Sequence, residues 1–199
     1  SLASFKTMER NADWKNDATL FVHDAEISPN SALLNGNAGK AFLEMAENET
    51  DAAVKDSLLV KAENKLNRAL EIHPTYYSAH LNLGYVWYLR NELEKAEKSW
   101  MDAEKIYSRS NHPTFWQRYD AALALAFFNR GLEAAQKKEM EVSRFNLEKA
   151  VQYQPRNVQY LEDLGGVNYT LNDPKAALEA WSRALTIDPT KASCRAGYR

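Results

Sequence analysis

The chain lacks several features that would assign it at once to a common class of protein. It has a single cysteine, Cys194, which excludes an internal disulfide framework and a cysteine-rich metal site. The 25 basic and 27 acidic residues leave a net charge of -2, so neither nucleic acid nor an anionic membrane surface is indicated as the main partner. Apolar runs fall short of the roughly 18 residues that a membrane-spanning helix needs, and the first residues lack the apolar core of a secretion signal. We therefore expect a soluble segment, either complete or cut from a larger protein.

Sequence motifs of common enzyme sites are also missing. The histidines lie far apart and match no HExxH-type spacing of metal ligands. No GxSxG elbow, phosphate-binding glycine loop or GxGxxG occurs in the sequence. The sequence therefore predicts a chain without enzyme activity, cofactor or metal. The four histidines are His23, His73, His80 and His112.

Helix-forming residues dominate the chain, and they repeat with a period of 34 residues. Pro155 and Pro189 end two consecutive units and are one period apart. Each unit contains two amphipathic segments joined by a polar turn, which predicts a pair of helices. The matching positions in two of the units are Gly84 with Gly165, Ala96 with Ala177, Trp100 with Trp181 and Ala103 with Ala184.

These residues resemble tetratricopeptide repeats, and the resemblance implies an all-α superhelix, an α-α solenoid of about four helix pairs behind a leading capping helix. It places a leading linker and capping helix at residues 1-31, the repeat array at 32-191 and a carboxy-terminal tail at 192-199. In this family a small residue of the first helix lies where helices approach closely. We therefore expect Gly84 to make room for Trp100, and we attribute Gly165 and Gly166 to the same close packing. The repeats cover about 32-76, 77-110, 111-157 and 158-191.

Two departures from the period predict where the helices differ in length. The first repeat carries extra residues in the polar run MAENETDAAVKDS, which predicts a longer turn or extended helices. In the third repeat, Pro113 is typical of a helix start, and the unbroken apolar spacing after it predicts a first helix of about 24 residues. The predicted core contains Phe21, Phe42, Leu66, Leu83, Trp87, Trp100, Leu147, Leu164 and Trp181.

The amino-terminal run ERNADWKNDATLFVHDAEISPNSA, from Glu9 to Ala32, carries a second resemblance. It is similar to the junction that leads into the repeats of transmembrane and tetratricopeptide-repeat proteins related to O-mannosyltransferases. The resemblance implies the soluble region of a membrane protein on the extracytoplasmic side, periplasmic or lumenal, with the transferase chemistry elsewhere. It also implies that Trp14, Leu20 and Phe21 dock the leading helix onto Gly39 and Phe42. The alternative is an ordinary capping helix in a cytoplasmic protein.

Two functions remain open: a module that binds a peptide or a partner protein in a concave groove, and a scaffold without a dedicated groove ligand. A weaker third alternative is self-association through the ends of the array. In this family the residue two before the glycine position faces the groove, and amides there can pair with an extended peptide backbone. The same asparagines can instead brace adjacent repeats. The predicted groove residues are Asn37, Lys40, Asn82, Tyr85, Tyr88, Phe128, Asn129, Gln159, Asp163 and Tyr169.

Two triplets match the acceptor pattern for N-linked glycosylation, Asn48-Glu49-Thr50 and Asn168-Tyr169-Thr170. So short a pattern often arises by chance. The triplets matter only if the chain enters a eukaryotic secretory compartment.

Overall fold

The computed structural model describes residues 17–190, and within this range the chain forms nine α-helices and no strand. Helices α2 and α3, α4 and α5, α6 and α7, and α8 and α9 pack together as consecutive pairs, and α1 packs against α2. The predicted all-α fold, with four helix pairs behind a leading helix, is confirmed. The helices are α1 Asp17–Ile27, α2 Ala32–Glu47, α3 Ala52–Ile72, α4 Tyr77–Leu89, α5 Leu93–Ile106, α6 Pro113–Gln136, α7 Met140–Tyr153, α8 Val158–Thr170 and α9 Pro174–Ile187.

The chain divides into two compact units at Asn111 and His112. The first unit contains α1 to α5, and the second contains α6 to α9. The single array over residues 32-191 stays a prediction.

Local sequence explains where several helices begin and how the pairs turn. The Asp51 carboxylate accepts hydrogen bonds from the backbone N–H groups of Ala53 and Val54, both at 2.9 Å, and thereby caps α3. The turns between the helices of the last three pairs each use one residue in the left-handed region: Asn91 with φ 59°, Lys138 with φ 64° and Asn172 with φ 60°. Asparagine tolerates this conformation, whereas lysine does so at a cost.

The extra residues of the first repeat lengthen its helices rather than its turn. Helix α2 has 16 residues and α3 has 21, against 13 in α4 and 14 in α5. Only residues 48–51 separate α2 from α3. The long first helix of the third repeat is confirmed, because α6 has 24 residues and begins at Pro113.

In the second and fourth repeats a tryptophan packs against the glycine of the first helix, as the repeat pattern predicts. A Cβ atom added to Gly84 would overlap the indole ring of Trp100, and one added to Gly165 would overlap that of Trp181. Each indole N–H donates to a carbonyl oxygen of the facing helix, Trp100 to Leu81 at 2.9 Å and Trp181 to Glu162 at 3.2 Å. The missing side chain thus lets one tryptophan lie against the backbone, which compensates for the low helix propensity of glycine.

The prediction that Gly165 and Gly166 both serve close packing is wrong for Gly166. Apart from its chain neighbours and the backbone of α8, no atom lies within 4 Å of a Cβ built on this residue. Gly166 follows the packed glycine position, where Lys40 stands in the first repeat and Tyr85 in the second. Helix α8 therefore lacks a side chain at that position, with no packing reason for it.

Most of the predicted core is confirmed, but three of its aromatic residues are only half-buried. Cations lie over two of these residues, with Lys61 Nζ 5.8 Å from the Phe42 centroid. Lys95 Nζ and Arg90 Cζ lie 4.3 Å and 5.8 Å from a Trp87 ring centroid. Long amphipathic side chains cover apolar surface in this way without removing it fully from water. The half-buried residues are Phe21, Phe42 and Trp87, and the buried ones are Leu66, Leu83, Trp100, Leu147, Leu164 and Trp181.

The leading helix packs on α2, although not at the small residue that the sequence suggested. The space beside Gly39 is filled by Leu66 and Ala62 of α3, because the glycine position faces the second helix of its own repeat. Trp14, part of the predicted docking contact, lies outside the described residues. Within residues 17–190 no helix is both long and apolar enough to cross a bilayer.

Candidate functional site

Five of the ten predicted groove residues lie in the first unit, on the two first helices of its repeats. Helices α2 and α4 contact one another, so these residues belong to adjacent elements, and none of them is fully buried. We call this set the first-helix surface of the first unit. It consists of Asn37 and Lys40 on α2 and Asn82, Tyr85 and Tyr88 on α4.

Tyr85 is held in place by an acidic residue that the sequence analysis missed. Its hydroxyl donates to Glu47 Oε1 at 2.6 Å. The hydrogen bond to Glu47, followed by burial, raises the pKa of Tyr85 to about 12. Glu47 lies in the polar run predicted to hold the extra residues of the first repeat, and it is the last residue of α2. Lys40, Glu44 and Glu47 are spaced by four and then three residues. This helical spacing could have placed Glu47 on the same face of α2 as Lys40.

The aromatic residues of α4 connect the surface to the core. Tyr85 stacks on Tyr88 with ring centroids 5.8 Å apart, and Tyr88 lies 6.0 Å from the buried Trp100. Packing of this kind limits the rotamers of both tyrosines. The surface therefore presents two aromatic rings whose positions depend on the core beneath them.

The asparagines of this surface differ from Asn35, a buried asparagine of α2 that braces the chain. Buried Asn35 donates through Nδ2 to the carbonyl oxygens of Ser31 at 2.8 Å and Pro29 at 3.1 Å, and so ties α2 to the preceding turn. The half-buried side-chain amides of Asn37 and Asn82 make no hydrogen bond to any described residue. Their donors and acceptors are thus available to water or to a ligand.

The other five predicted residues lie in the second unit, on α6 and α8, and form its first-helix surface. Phe128 packs on Tyr160 with ring centroids 4.5 Å apart, and Gln159 Nε2 donates to Asp163 Oδ2 at 2.9 Å. Two of the predicted polar groups are therefore bonded to each other. This surface consists of Phe128, Asn129, Gln159, Asp163 and Tyr169.

Tyr169 is the most prominent aromatic residue of the second surface. Its side chain is 64% exposed, and its ring lies 6.0 Å from that of Trp181. The same distance separates Tyr88 from Trp100 two repeats earlier, so the two tyrosines occupy equivalent positions. Gly166, three residues before Tyr169, leaves the neighbouring surface without a side chain.

Both surfaces carry polar and aromatic side chains. They offer amides, carboxylates, one ammonium group and aromatic faces, which hydrogen-bond and pack against a polypeptide. No described group of three or more His, Cys, Asp or Glu residues could hold a metal ion. The predicted groove residues thus lie on first helices of the repeats, five in each unit, and the groove itself stays a prediction.

The repeats match a known protein family. The profile described as Tetratricopeptide repeat matches residues 48–111 and 128–192. Human Protein O-mannosyl-transferase TMTC3 is 27% identical over 194 residues, which is 95% of this chain and 20% of that protein, and mouse TMTC3 gives the same figures. The chain therefore spans about a fifth of the length of these relatives. The crystal structure of MamA has 16% identity and a TM-score of 0.47, covering 94% of this chain and 89% of that one. The chain belongs to the tetratricopeptide repeat family.

Proposed function

We propose that this chain is a protein-interaction module that binds an extended peptide segment of a partner on its first-helix surfaces. The observation that carries the proposal is the pair of half-buried amides on α2 and α4, Asn37 and Asn82, which have no partner among the described residues. Such an amide hydrogen-bonds to water in the unbound chain, and a ligand that replaces this water with a well-placed donor or acceptor gains about 0.5 to 1.5 kcal/mol per hydrogen bond. A peptide backbone supplies both the donor and the acceptor that such an amide needs.

The first unit offers the stronger of the two surfaces. Tyr85 and Tyr88 provide stacked rings with restricted rotamers, which lose little conformational entropy when they bind. Glu47 holds the Tyr85 hydroxyl as a donor, so the accessible phenol oxygen is free to accept from a ligand. The surface therefore combines amides for the backbone of a peptide with aromatic anchors for its apolar side chains.

The second unit contributes Asn129 and Tyr169, which are both exposed. The absence of a side chain at Gly166 leaves room for a ligand beside Tyr169. The hydrogen bond between Gln159 and Asp163 favours the alternative function, a scaffold that positions a larger protein and keeps its polar groups paired. We assign the second surface a secondary role in binding for this reason.

The similarity to TMTC3 over nearly the whole chain supports a membrane-protein context for this module. We place the module on the extracytoplasmic side, as the resemblance of the run from Glu9 to Ala32 implies. The transferase activity named for the relatives is assigned to the part of those proteins that this chain does not cover. The role of the chain is then to bring a polypeptide to that part or to hold the protein in a complex.

A peptide-binding screen followed by substitution tests the binding proposal. The folded chain is screened against a peptide array, and affinities of the hits are measured by titration calorimetry. Each amide hydrogen bond is worth about 0.5 to 1.5 kcal/mol, so changing Asn37, Asn82 and Asn129 to alanine should weaken binding by roughly tenfold or more. The matched control is Asn64→Ala, which removes an exposed amide from the second helix α3.

The outcomes separate the two functions. Loss of affinity in the triple variant, with Asn64→Ala unchanged and both variants folded by circular dichroism, supports the first-helix surfaces. Unchanged affinity in a folded triple variant would place the site elsewhere. A screen that yields no ligand favours the scaffold.

A further inference from the structure

The two glycosylation triplets have opposite environments in the structure. Asn48 is exposed, directly follows α2, and belongs to the short turn of residues 48–51. Thr50, the third residue of the triplet, is exposed in the same turn. An exposed turn is where a bulky, hydrophilic modification can be carried without disturbing the packing.

Asn168 lies inside α8, and its residue is only 4% exposed. Its Oδ1 atom is buried without a hydrogen-bond partner. The hydroxyl of Thr170, which completes the triplet, donates to the carbonyl oxygen of Gly166 at 2.9 Å. A sugar attached to Asn168 would have to replace buried packing between helices, so the folded protein has no place for it.

We propose that Asn48 is an N-glycosylation site and that Asn168 is not one. In the reaction, Nδ2 of Asn48 forms a bond to C1 of the first sugar of a lipid-diphosphate-linked oligosaccharide. The bond between that carbon and the diphosphate oxygen breaks, the lipid diphosphate leaves with the electron pair, and the amide loses one proton. The donor and the transferase enzyme come from the secretory compartment, so the inference rests on the extracytoplasmic location proposed above.

The position of Asn48 also connects the modification to the proposed binding surface. Its Nδ2 donates to the carbonyl oxygen of Glu44 at 2.8 Å in an exposed contact, and Nδ2 keeps one N–H after the modification. The preceding residue, Glu47, holds Tyr85. A glycan at Asn48 therefore borders the first-helix surface of the first unit and restricts that edge to ligands that leave the end of α2 free.

The test uses the full-length gene product that contains this chain, expressed in a human cell line. The purified protein is deglycosylated with peptide N-glycosidase F in heavy-oxygen water, which converts each modified Asn to a labelled Asp, and is then mapped by mass spectrometry. We expect the label at Asn48 and none at Asn168. Two independent variants, Asn48→Gln and Thr50→Ala, should each remove that glycan, so a folding defect in one does not decide the result.

A third variant separates this inference from the proposed location. Pro174→Thr completes an Asn-Asp-Thr triplet at Asn172, which is exposed in the turn between α8 and α9. A glycan on Asn172 in this variant without one on Asn48 would overturn the assignment of Asn48 while leaving the extracytoplasmic location intact. If neither residue is modified, the location and the inference fail together, and peptide binding is judged by its own experiment. Label at Asn168 in the folded protein would refute the burial argument.

Discussion

The adjacent glycines of α8 allow a matched test of how the repeat packs. In Gly165→Ala the new methyl group meets the Trp181 ring, where even the third-nearest atom, Cε2, is 2.7 Å from the Cβ position. The nearest atoms belong to the rigid, largely buried indole, not to a flexible end of a side chain. The tryptophan must therefore move, which weakens its hydrogen bond to the Glu162 carbonyl oxygen.

The free energy of unfolding is expected to fall when Gly165 is changed to alanine and to rise when Gly166 is changed to alanine. Overpacking costs about 1 to 3 kcal/mol, and the lost hydrogen bond adds about 0.5 to 1.5 kcal/mol, while alanine returns roughly 1 kcal/mol of helix propensity. We therefore expect Gly165→Ala to lower the free energy of unfolding by about 0.5 to 3.5 kcal/mol. Gly166→Ala should raise it by about 0.5 to 1 kcal/mol, because its Cβ position is open and only the backbone term remains.

Urea unfolding, followed by circular dichroism at the helical band and by tryptophan fluorescence, measures both variants against the parent. Equal slopes with urea concentration would show that the same surface unfolds in each protein, so midpoints can be compared directly. The reasoning is refuted if both substitutions change stability alike, or if Gly165→Ala is as stable as the parent. An unchanged or lower stability of Gly166→Ala would show that this glycine has a packing role that the structure does not contain.

Three further changes test other parts of the structure. Lys138→Gly should raise the free energy of unfolding by about 1 kcal/mol, because φ at this residue is 64° and a Cβ is unfavourable there; urea unfolding would contradict this if the variant were no more stable. The folded-state pKa of Tyr85 is about 12, so its contribution to stability should be complete below pH 10 and lost as the pH rises through 12. Ultraviolet titration should show this ionisation moving toward pH 10 in Glu47→Gln, and an unmoved titration would refute the assigned cause. Trp100→Ala should cost about 3 to 5 kcal/mol, and a melting curve equal to that of the parent would exclude the packing of its indole as a major source of stability.

The helix pairs were readable from the sequence because their main constraint is local and periodic. A small residue facing a large one at fixed spacing, as for Gly84 and Trp100, is repeated wherever two helices approach closely. Helix starts such as Pro113 are encoded within one turn of the chain. The lengthening of α2 and α3 was left open, because a polar run of helix-forming residues is compatible with both a turn and a helix.

For the candidate site, the sequence predicted which positions of the repeats are equivalent and nothing about their contacts. The sequence pattern, through the family it resembles, placed Asn37 and Asn82 at equivalent positions, but it contained no information on their hydrogen bonds. The contact between Tyr85 and Glu47 joins residues 38 apart, and it depends on α2 extending far enough to reach α4. The unpartnered amides and the Glu47 contact, which carry the functional proposal, therefore come from the packing of helices.

The sequence by itself determined the class of fold, the family and the positions at which small and large residues alternate. Only the tertiary structure distinguished residues with the same local pattern. Gly165 is packed and Gly166 is open, while Asn48 is exposed and Asn168 is buried. The physical reason is that exposure depends on which neighbouring helix covers a position, and that neighbour is set by packing between segments distant in sequence.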